Sequence, residues 1–393
     1  MYSQSFAPTS LYSCTTQAER RNSGIKKEEF IEAIGNELGN STVDGSYHFK
    51  IRKEGDLFLN NRKKRDFDYL CQNLILRKMH NNIKVIYKVQ QADRNTIVRQ
   101  MKTLLNENVD MWVVRLDVRH FYESINRDML LNKLVQDVRL SYPSIALLKS
   151  LFNDALVASV TGLPRGLGVS AALSELYMKY FDIAIRRVDG VYYYARFVDD
   201  IIVFCSSEQS KDLVWETAQT ELDALGLSLN EEKSYTWSSS SRCADLIYLG
   251  YAFKKIGNAV DVSIADKKIK VIKTRLTKSF VRYAKDHNFS QLKLRIKFLT
   301  GNFTLYQADT LLPIKVGLFF NYKQATSIEC LNELDRYYQR MLHCRTGKLG
   351  GRISLTKTEV KDLEKYSFRF GYENHVNHHF TNDQMGIITN CWL

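Results

Sequence analysis

Apolar positions cluster into short runs that predict strands. Residues 111–118, MWVVRLDV, are almost continuously apolar and close on Asp117, the pattern of a buried strand. Two more runs, 191–197 and 201–205, predict paired strands with Val198, Asp199 and Asp200 at the turn between them. Residues 83–89, IKVIYKV, and 246–253, LIYLGYAF, read as further strands. Helical spacing appears elsewhere. Phe67, Leu70, Leu74 and Ile75 place a helix over 61–80, and one is expected to begin near Ile25. Others are expected at 96–108, 119–139, 144–158 after a break at Pro143, 171–187 and 211–225, with a short polar element at 227–237. The alternation lacks the βαβ rhythm of a doubly wound sheet. It predicts an α+β fold, a mostly antiparallel sheet backed by helices.

The pattern changes at 264. Residues 261–300 are helical in spacing and carry eleven Lys or Arg against three Asp. This predicts a separate basic helical unit to about 345, followed by a weakly periodic tail over 348–393. Composition sharpens the picture. With 45% hydrophobic residues the chain can build a sizeable core. Its net charge of +13 points to a polyanionic partner, either nucleic acid or an anionic membrane face. No apolar stretch of about 18 residues occurs, so no membrane span is expected. The N-terminal residues lack the charge and apolar run of a secretory signal. Seven scattered cysteines without CxxC spacing fit free thiols in a reducing, cytoplasmic setting.

The chemistry rests on aspartates. Asp117 ends one apolar strand, and Asp199 and Asp200 sit between two others. Adjacent carboxylates in a shielded site repel and raise each other's pKa. A divalent cation removes that cost, and Mg²⁺ favours carboxylate oxygens shared with phosphates. Two such ions clamp the attacking and leaving oxygens of phosphoryl transfer. Without their surroundings, Asp199 and Asp200 are equally an ordinary hairpin turn.

The surroundings carry a resemblance. VVRLDVRHFYESI, GLPRGLGVSAALSELYM, YARFVDDIIVF, GLSLNEEKS and IYLGYAF occur in the order of the palm motifs of reverse transcriptases, over about residues 60–260. In style the chain resembles bacterial retron, group II intron and phage-defence enzymes. The resemblance implies a right-hand polymerase: an N-terminal extension (1–60), fingers (61–110), a palm with inserted fingers helices (111–260), a helical basic thumb (261–345) and a C-terminal extension (346–393). It implies RNA-directed DNA synthesis from dNTPs on an RNA template with two Mg²⁺ ions, for which Mn²⁺ can substitute. The ions would be held by Asp117, the Val118 backbone, Asp199 and Asp200.

The same resemblance makes Tyr122, five residues after Asp117, the steric gate against a ribose 2′-OH. Lys233 falls near the leaving pyrophosphate. Lys88 and Arg94 fall where fingers contact triphosphate, and Arg165 and Gly166 where the incoming nucleotide and template are held. Lys267, Lys268, Lys270 and Lys273 fall on the thumb, gripping duplex phosphates. Arg115 shares a strand face with Asp117 and is expected as a local ion-pair partner of the acidic site. The family usually has glutamine where this chain has Arg165, which puts generic template copying in question. Together with the flanks, this suggests a dedicated structured non-coding RNA, a partner protein encoded nearby or a homo-oligomer, and a role in defence against phage. A template-independent or protein-primed transferase, an RNA polymerase, and a retron or intron enzyme remain alternatives.

Overall fold

The structure is a computed structural model and describes residues 2–63, 66–107, 109–240, 245–257, 259–306 and 313–392. It divides into two compact units. The first contains residues up to 93 and 110–240, the second 94–109 and most of the chain after 240.

The first unit is organised by a four-stranded antiparallel sheet in the order Val191–Phe197, Asp200–Cys205, Trp112–Asp117, Tyr235–Ser238. The two central strands read as nearly unbroken apolar runs because both their faces are covered. Ile201, Ile202, Val203, Phe204 and Cys205 are all fully buried. The amphipathic helix Glu208–Ala224 buries Val214, Ala218 and Leu222, and helix Lys179–Arg186 packs against it and against the Val191–Phe197 strand. A long helix, Phe67–Tyr87, packs on Gly168–Tyr177.

The expected strand at 83–89 is instead the end of that long helix. Leu76, Met79, Ile83 and Tyr87 recur every three or four residues on one buried face. Burial of this stripe overrides the β-propensity of the Ile- and Val-rich run. Lys88, with φ 53°, then ends the helix in the left-handed region. The expected helix at 119–139 is divided into Phe121–Ser124 and Arg127–Gln136. Ile125 is extended, and the Asn126 side chain caps the second helix by accepting the Met129 N–H. Pro143 opens a helix, Tyr142–Phe152, as proline at a first turn does.

The long helix also carries a buried polar stripe. Gln72 donates to the Lys50 carbonyl at 3.0 Å, Lys78 to the Ser3 carbonyl at 2.6 Å and Asn82 to the Gln4 carbonyl at 3.0 Å. Arg77 makes a bidentate pair with Glu19, at 2.7 and 2.8 Å. The N-terminal segment is thus built into this unit by polar groups that need it for satisfaction.

In the second unit, LIYLGYAF is not one strand but a hairpin, Leu246–Tyr248 and Tyr251–Ile256, joined by Ala259–Ile264 into a three-stranded sheet. Leu249 and Gly250 have φ of 46° and 79°, the paired positive values of a tight primed turn. Leucine in the first position hid that turn from the sequence. Helices Asp266–Asp286, Phe289–Thr300 and Glu329–Leu342 pack around Leu276, Phe280, Leu292, Ile296, Leu331 and Tyr338. The expected continuous helical stretch to 345 is interrupted by strands Asn302–Tyr306 and Pro313–Gly317. These pair with each other, and the first also pairs with Asn377–His378. Leu363 and Phe368, from the weakly periodic tail, are fully buried in the same core. Among the described residues no helix is long and apolar enough to cross a membrane.

The buried Arg77–Glu19 pair yields a stability prediction. Glu19→Ala leaves a guanidinium without its counter-charge and should cost about 3 kcal/mol. Urea denaturation measures this, and a loss under about 0.5 kcal/mol would show that water already serves Arg77.

Candidate active site

Strand register brings the aspartates together. Asp117 is the last residue of its strand and lies directly opposite Asp200, the first residue of the neighbouring strand. Asp199 precedes it in the turn, and its carbonyl accepts the Val118 N–H at 3.2 Å. On the other side of Asp117 the chain returns through 228–234. Arg119 N–H donates to the Ser228 carbonyl at 2.8 Å, Asn230 N–H to the Asp117 carbonyl at 2.7 Å, and Asp117 N–H to Ser234 Oγ at 3.1 Å. Asp117 is therefore held on both flanks, with its side chain buried at 6% exposure.

Two cations offset the negative charge. Lys233 Nζ lies 3.0 Å from Asp117 Oδ1 and 3.4 Å from Oδ2. Arg115 Nη2 lies 3.2 Å from Asp200 Oδ1, with its guanidinium 5.6 Å from the Tyr235 ring. Burial raises the pKa of Asp199 above the ordinary carboxylate range, and repulsion from Asp200 and Asp117 adds to it. Burial also raises Asp200, against the pull of Arg115. The donor chemistry fits a hard divalent cation: carboxylate oxygens carrying excess negative charge. Among the described residues, however, no three acidic, histidine or cysteine side chains converge as a ready-made metal cluster. The expected metal set is thus gathered at one sheet end, with two of its carboxylates turned to Lys233 and Arg115.

The turn that presents Asp199 is strained. Val198 has φ 61°, a conformation that β-branched residues avoid. Arg196 holds it. Its side chain, only 3% exposed, donates to the Val198 carbonyl at 3.1 Å. It also pairs with Glu175 at 2.8 Å and with Asp182 at 2.7 Å. Tyr194 completes the network by donating to Asp182 at 2.6 Å. Arg196, Glu175 and Asp182 were not singled out in the sequence. The available signal was an arginine inside the apolar run YYYARFV, since a buried charge requires partners.

The glycine-rich turn closes onto the segment after Asp117. Leu163 N–H donates to the Tyr122 carbonyl at 2.7 Å. Gly162, with φ 72°, comes so close that a Cβ would sit 2.0 Å from the Tyr122 carbonyl oxygen. Arg165 makes a bidentate pair with Glu123, at 2.7 and 2.9 Å, and its guanidinium lies 5.6 Å from the Tyr122 ring centroid. Gly166, at φ 94°, abuts the Phe58 carbonyl, and Phe58 N–H donates to the Arg165 carbonyl at 2.7 Å. That contact brings in the hairpin Ile51–Glu54 and Leu57–Asn60, assigned from the sequence to an extension. Its legible signal was Gly55-Asp56 between two short runs.

The remaining expected residues lie elsewhere. Lys88 is exposed at the end of the long helix in the first unit. Arg94 belongs to the second unit, where it donates to the carbonyls of Leu249 and Asn321 and stacks over Tyr251 and Tyr322. Lys267, Lys268 and Lys270 are exposed on the Asp266–Asp286 helix. Lys273 is partly buried and pairs with Glu333 over Tyr337.

Acidic strand ends with a basic partner thus lie beside the segment to which the glycine turn is fastened. The sequence profile described as reverse transcriptase (RNA-dependent DNA polymerase) matches residues 59–272, more than half of the sequence, and the chain belongs to that family. It is 26% identical over 117 residues to Protein P of woolly monkey hepatitis B virus (isolate Louisville), covering 30% of this chain and 13% of that protein. Among solved structures it is similar to apo telomerase from Candida tropicalis truncated from its C-terminal domain. That match has 15% identity and a TM-score of 0.39, covering 56% of this chain and 55% of that one. It is also similar to C. tropicalis telomerase in complex with a TWJ fragment of telomeric RNA. Here identity is 12% and the TM-score 0.41, covering 88% and 64%. The chain thus spans about an eighth of Protein P and under two thirds of each telomerase chain.

The raised carboxylates have a thermodynamic consequence. Because their pKa values in the fold exceed the unfolded values, these groups favour the metal-free fold when protonated. Their contribution is present below the unfolded pKa and is lost as pH rises through the folded one. Asp199→Asn should therefore raise the metal-free melting temperature at pH 7, by about 2 °C, and lower the stabilisation gained from added Mg²⁺. Calorimetry with and without Mg²⁺ tests this. Equal Mg²⁺ responses in both proteins would exclude Asp199 as a ligand.

Proposed function

We propose that the chain is an RNA-directed DNA polymerase in which Asp117, Asp199 and Asp200 carry nucleotidyl transfer. The observation that carries the reading is the strand register that sets Asp117 against Asp200 with Asp199 beside them. Asp117, the Val118 carbonyl, Asp199 and Asp200 would hold two Mg²⁺ ions, which supply charge stabilisation to the reacting phosphate when bound. Lys233 is poised to leave Asp117 once that charge is met, and then to stabilise the leaving pyrophosphate. Tyr122 supports a preference for dNTPs. In this reading the fingers (61–110) and palm (111–260) lie mostly in the first unit, with 94–109 and 241–260 in the second, and the basic Asp266–Asp286 helix belongs to a thumb that grips duplex phosphates through Lys267, Lys268 and Lys270.

The biological proposal is narrower. The chain works with a dedicated structured RNA, in bacterial defence against phage, and not as a copier of arbitrary templates. The support is the strongly basic composition, suited to shape and phosphate recognition of RNA, and Arg165 at the template-facing turn.

Purified protein with Mg²⁺, dNTPs and primed RNA should incorporate nucleotide, and Asp199→Ala should reduce this by at least about a thousandfold while still unfolding in one cooperative transition. Undiminished incorporation by the variant would overturn the assignment. RNA copurifying from the native host under stringent salt should be dominated by one species. A broad mixture, with efficient copying of arbitrary primed RNA, would remove the dedicated-RNA proposal.

A further inference from the structure

The Arg165–Glu123 pair lies over the residue read as the sugar gate, and its geometry is specific. Glu123 follows Tyr122 in the short helix after Asp117, while Arg165 sits on the glycine turn. The contact is side-on: Arg165 Nε reaches Glu123 Oε1 at 2.7 Å and Nη2 reaches Oε2 at 2.9 Å. A guanidinium has five N–H donors. This mode spends two of them and leaves the Nη1 amino group without a partner among the described residues. The pair is formally neutral, so Arg165 offers hydrogen-bond donors without a free positive charge.

Stability does not explain the pair. The side chains are 43% and 44% exposed, and such ion pairs contribute about 0.2–1 kcal/mol. The backbone already joins the two segments through Leu163 N–H to the Tyr122 carbonyl and the close approach of Gly162. The ion pair adds instead the placement of a planar cation 5.6 Å from the Tyr122 ring. Tyr122 also meets Phe121 in an edge-to-face arrangement, with ring centroids 5.5 Å apart. The tyrosine ring thus touches both an aromatic neighbour and the guanidinium.

We infer that Glu123 is a positioning and specificity-determining residue. It neutralises Arg165 and pins it across Tyr122, making a clasp that sharpens discrimination between deoxyribose and ribose at the nucleotide site. This rests on the reading of Tyr122 as the sugar gate. Without Glu123 two things change together. Arg165 becomes an unpaired cation that attracts any triphosphate whatever its sugar, which is uniform binding and lowers KM for every nucleotide. The guanidinium also leaves the Tyr122 ring, and the gate gains freedom to admit a 2′-OH.

The test is a double-mutant cycle on the full chain, with single-nucleotide incorporation of a dNTP and its matching NTP on primed RNA. Glu123→Gln should lower KM for both nucleotides and reduce the dNTP-over-NTP ratio of kcat/KM about tenfold, with Tm unchanged within about 1 °C. In an Arg165→Gln background, Glu123→Gln should not alter the ratio further, because there is no guanidinium left to neutralise or pin. Two results would overturn the inference: an unchanged ratio in Glu123→Gln, or the same shift in both backgrounds. Tyr122→Ala separates this failure from that of the underlying reading. If it fails to raise NTP use in a wild type that is otherwise selective, Tyr122 is not the gate and the clasp falls with it. If it raises NTP use but the cycle is flat, only the clasp is wrong.

Discussion

The structure of the first unit depends on a repulsion that the backbone imposes. Pairing Trp112–Asp117 with Asp200–Cys205 buries an apolar ladder, and the register that buries it sets Asp117 against Asp200. A one-residue slip would set Asp117 against Ile201 or Asp199 and break the packing fitted around Val113, Val203 and their neighbours on both covered faces. Hydrophobic burial wins, and the carboxylates are held together at its expense. Lys233 and Arg115 then offset the charge at 3.0 and 3.2 Å. The compensation is partial, since Asp199 and Asp200 keep raised pKa values. The carboxylate oxygens left with excess negative charge have the donor chemistry that a hard divalent cation prefers.

Rigid support surrounds that site. Val198 occupies an unfavourable backbone conformation that costs on the order of 1–3 kcal/mol. The Arg196 network with Glu175, Asp182 and Tyr194 over-determines it through buried charge-assisted bonds. The glycine turn is fastened to Tyr122 just as closely, through the approach that only Gly162 permits. One device is a buried side-chain network and the other a close backbone approach, and each fixes a turn beside the aspartates or Tyr122.

The flanking segments are structural parts of their units. The N-terminal segment satisfies Arg77, Lys78 and Asn82 on the long helix. The C-terminal segment contributes Leu363 and Phe368 to the helical core of the second unit. Neither behaves as a detachable extension, and the polar groups buried by the first would be costly to expose. In the second unit, Lys267, Lys268 and Lys270 are exposed on the helix surface while Lys273 is held by Glu333. Basic residues in one run therefore differ in what they can offer a polyanion.

The sequence by itself determined the α+β class, the central strands and the place of Asp117, Asp199 and Asp200. These rest on local signals: unbroken apolar runs and charges that interrupt them. Lys233 and Arg115 were legible as basic neighbours of the acidic motifs, but their assignment to Asp117 and Asp200 needed the register. Tertiary structure alone decided the rest. The 83–89 run has strand-like composition, yet it is helical because its buried face continues that of Leu76 and Met79. LIYLGYAF folds back because Leu249 accepts a positive φ that no leucine advertises. Arg196 with Glu175 and Asp182, and Arg165 with Glu123, pair residues 14 to 42 positions apart. No local period encodes such pairs, because they exist only once the folded chain brings distant residues side by side, in the buried volume behind the sheet for Arg196 and at the exposed glycine turn for Arg165.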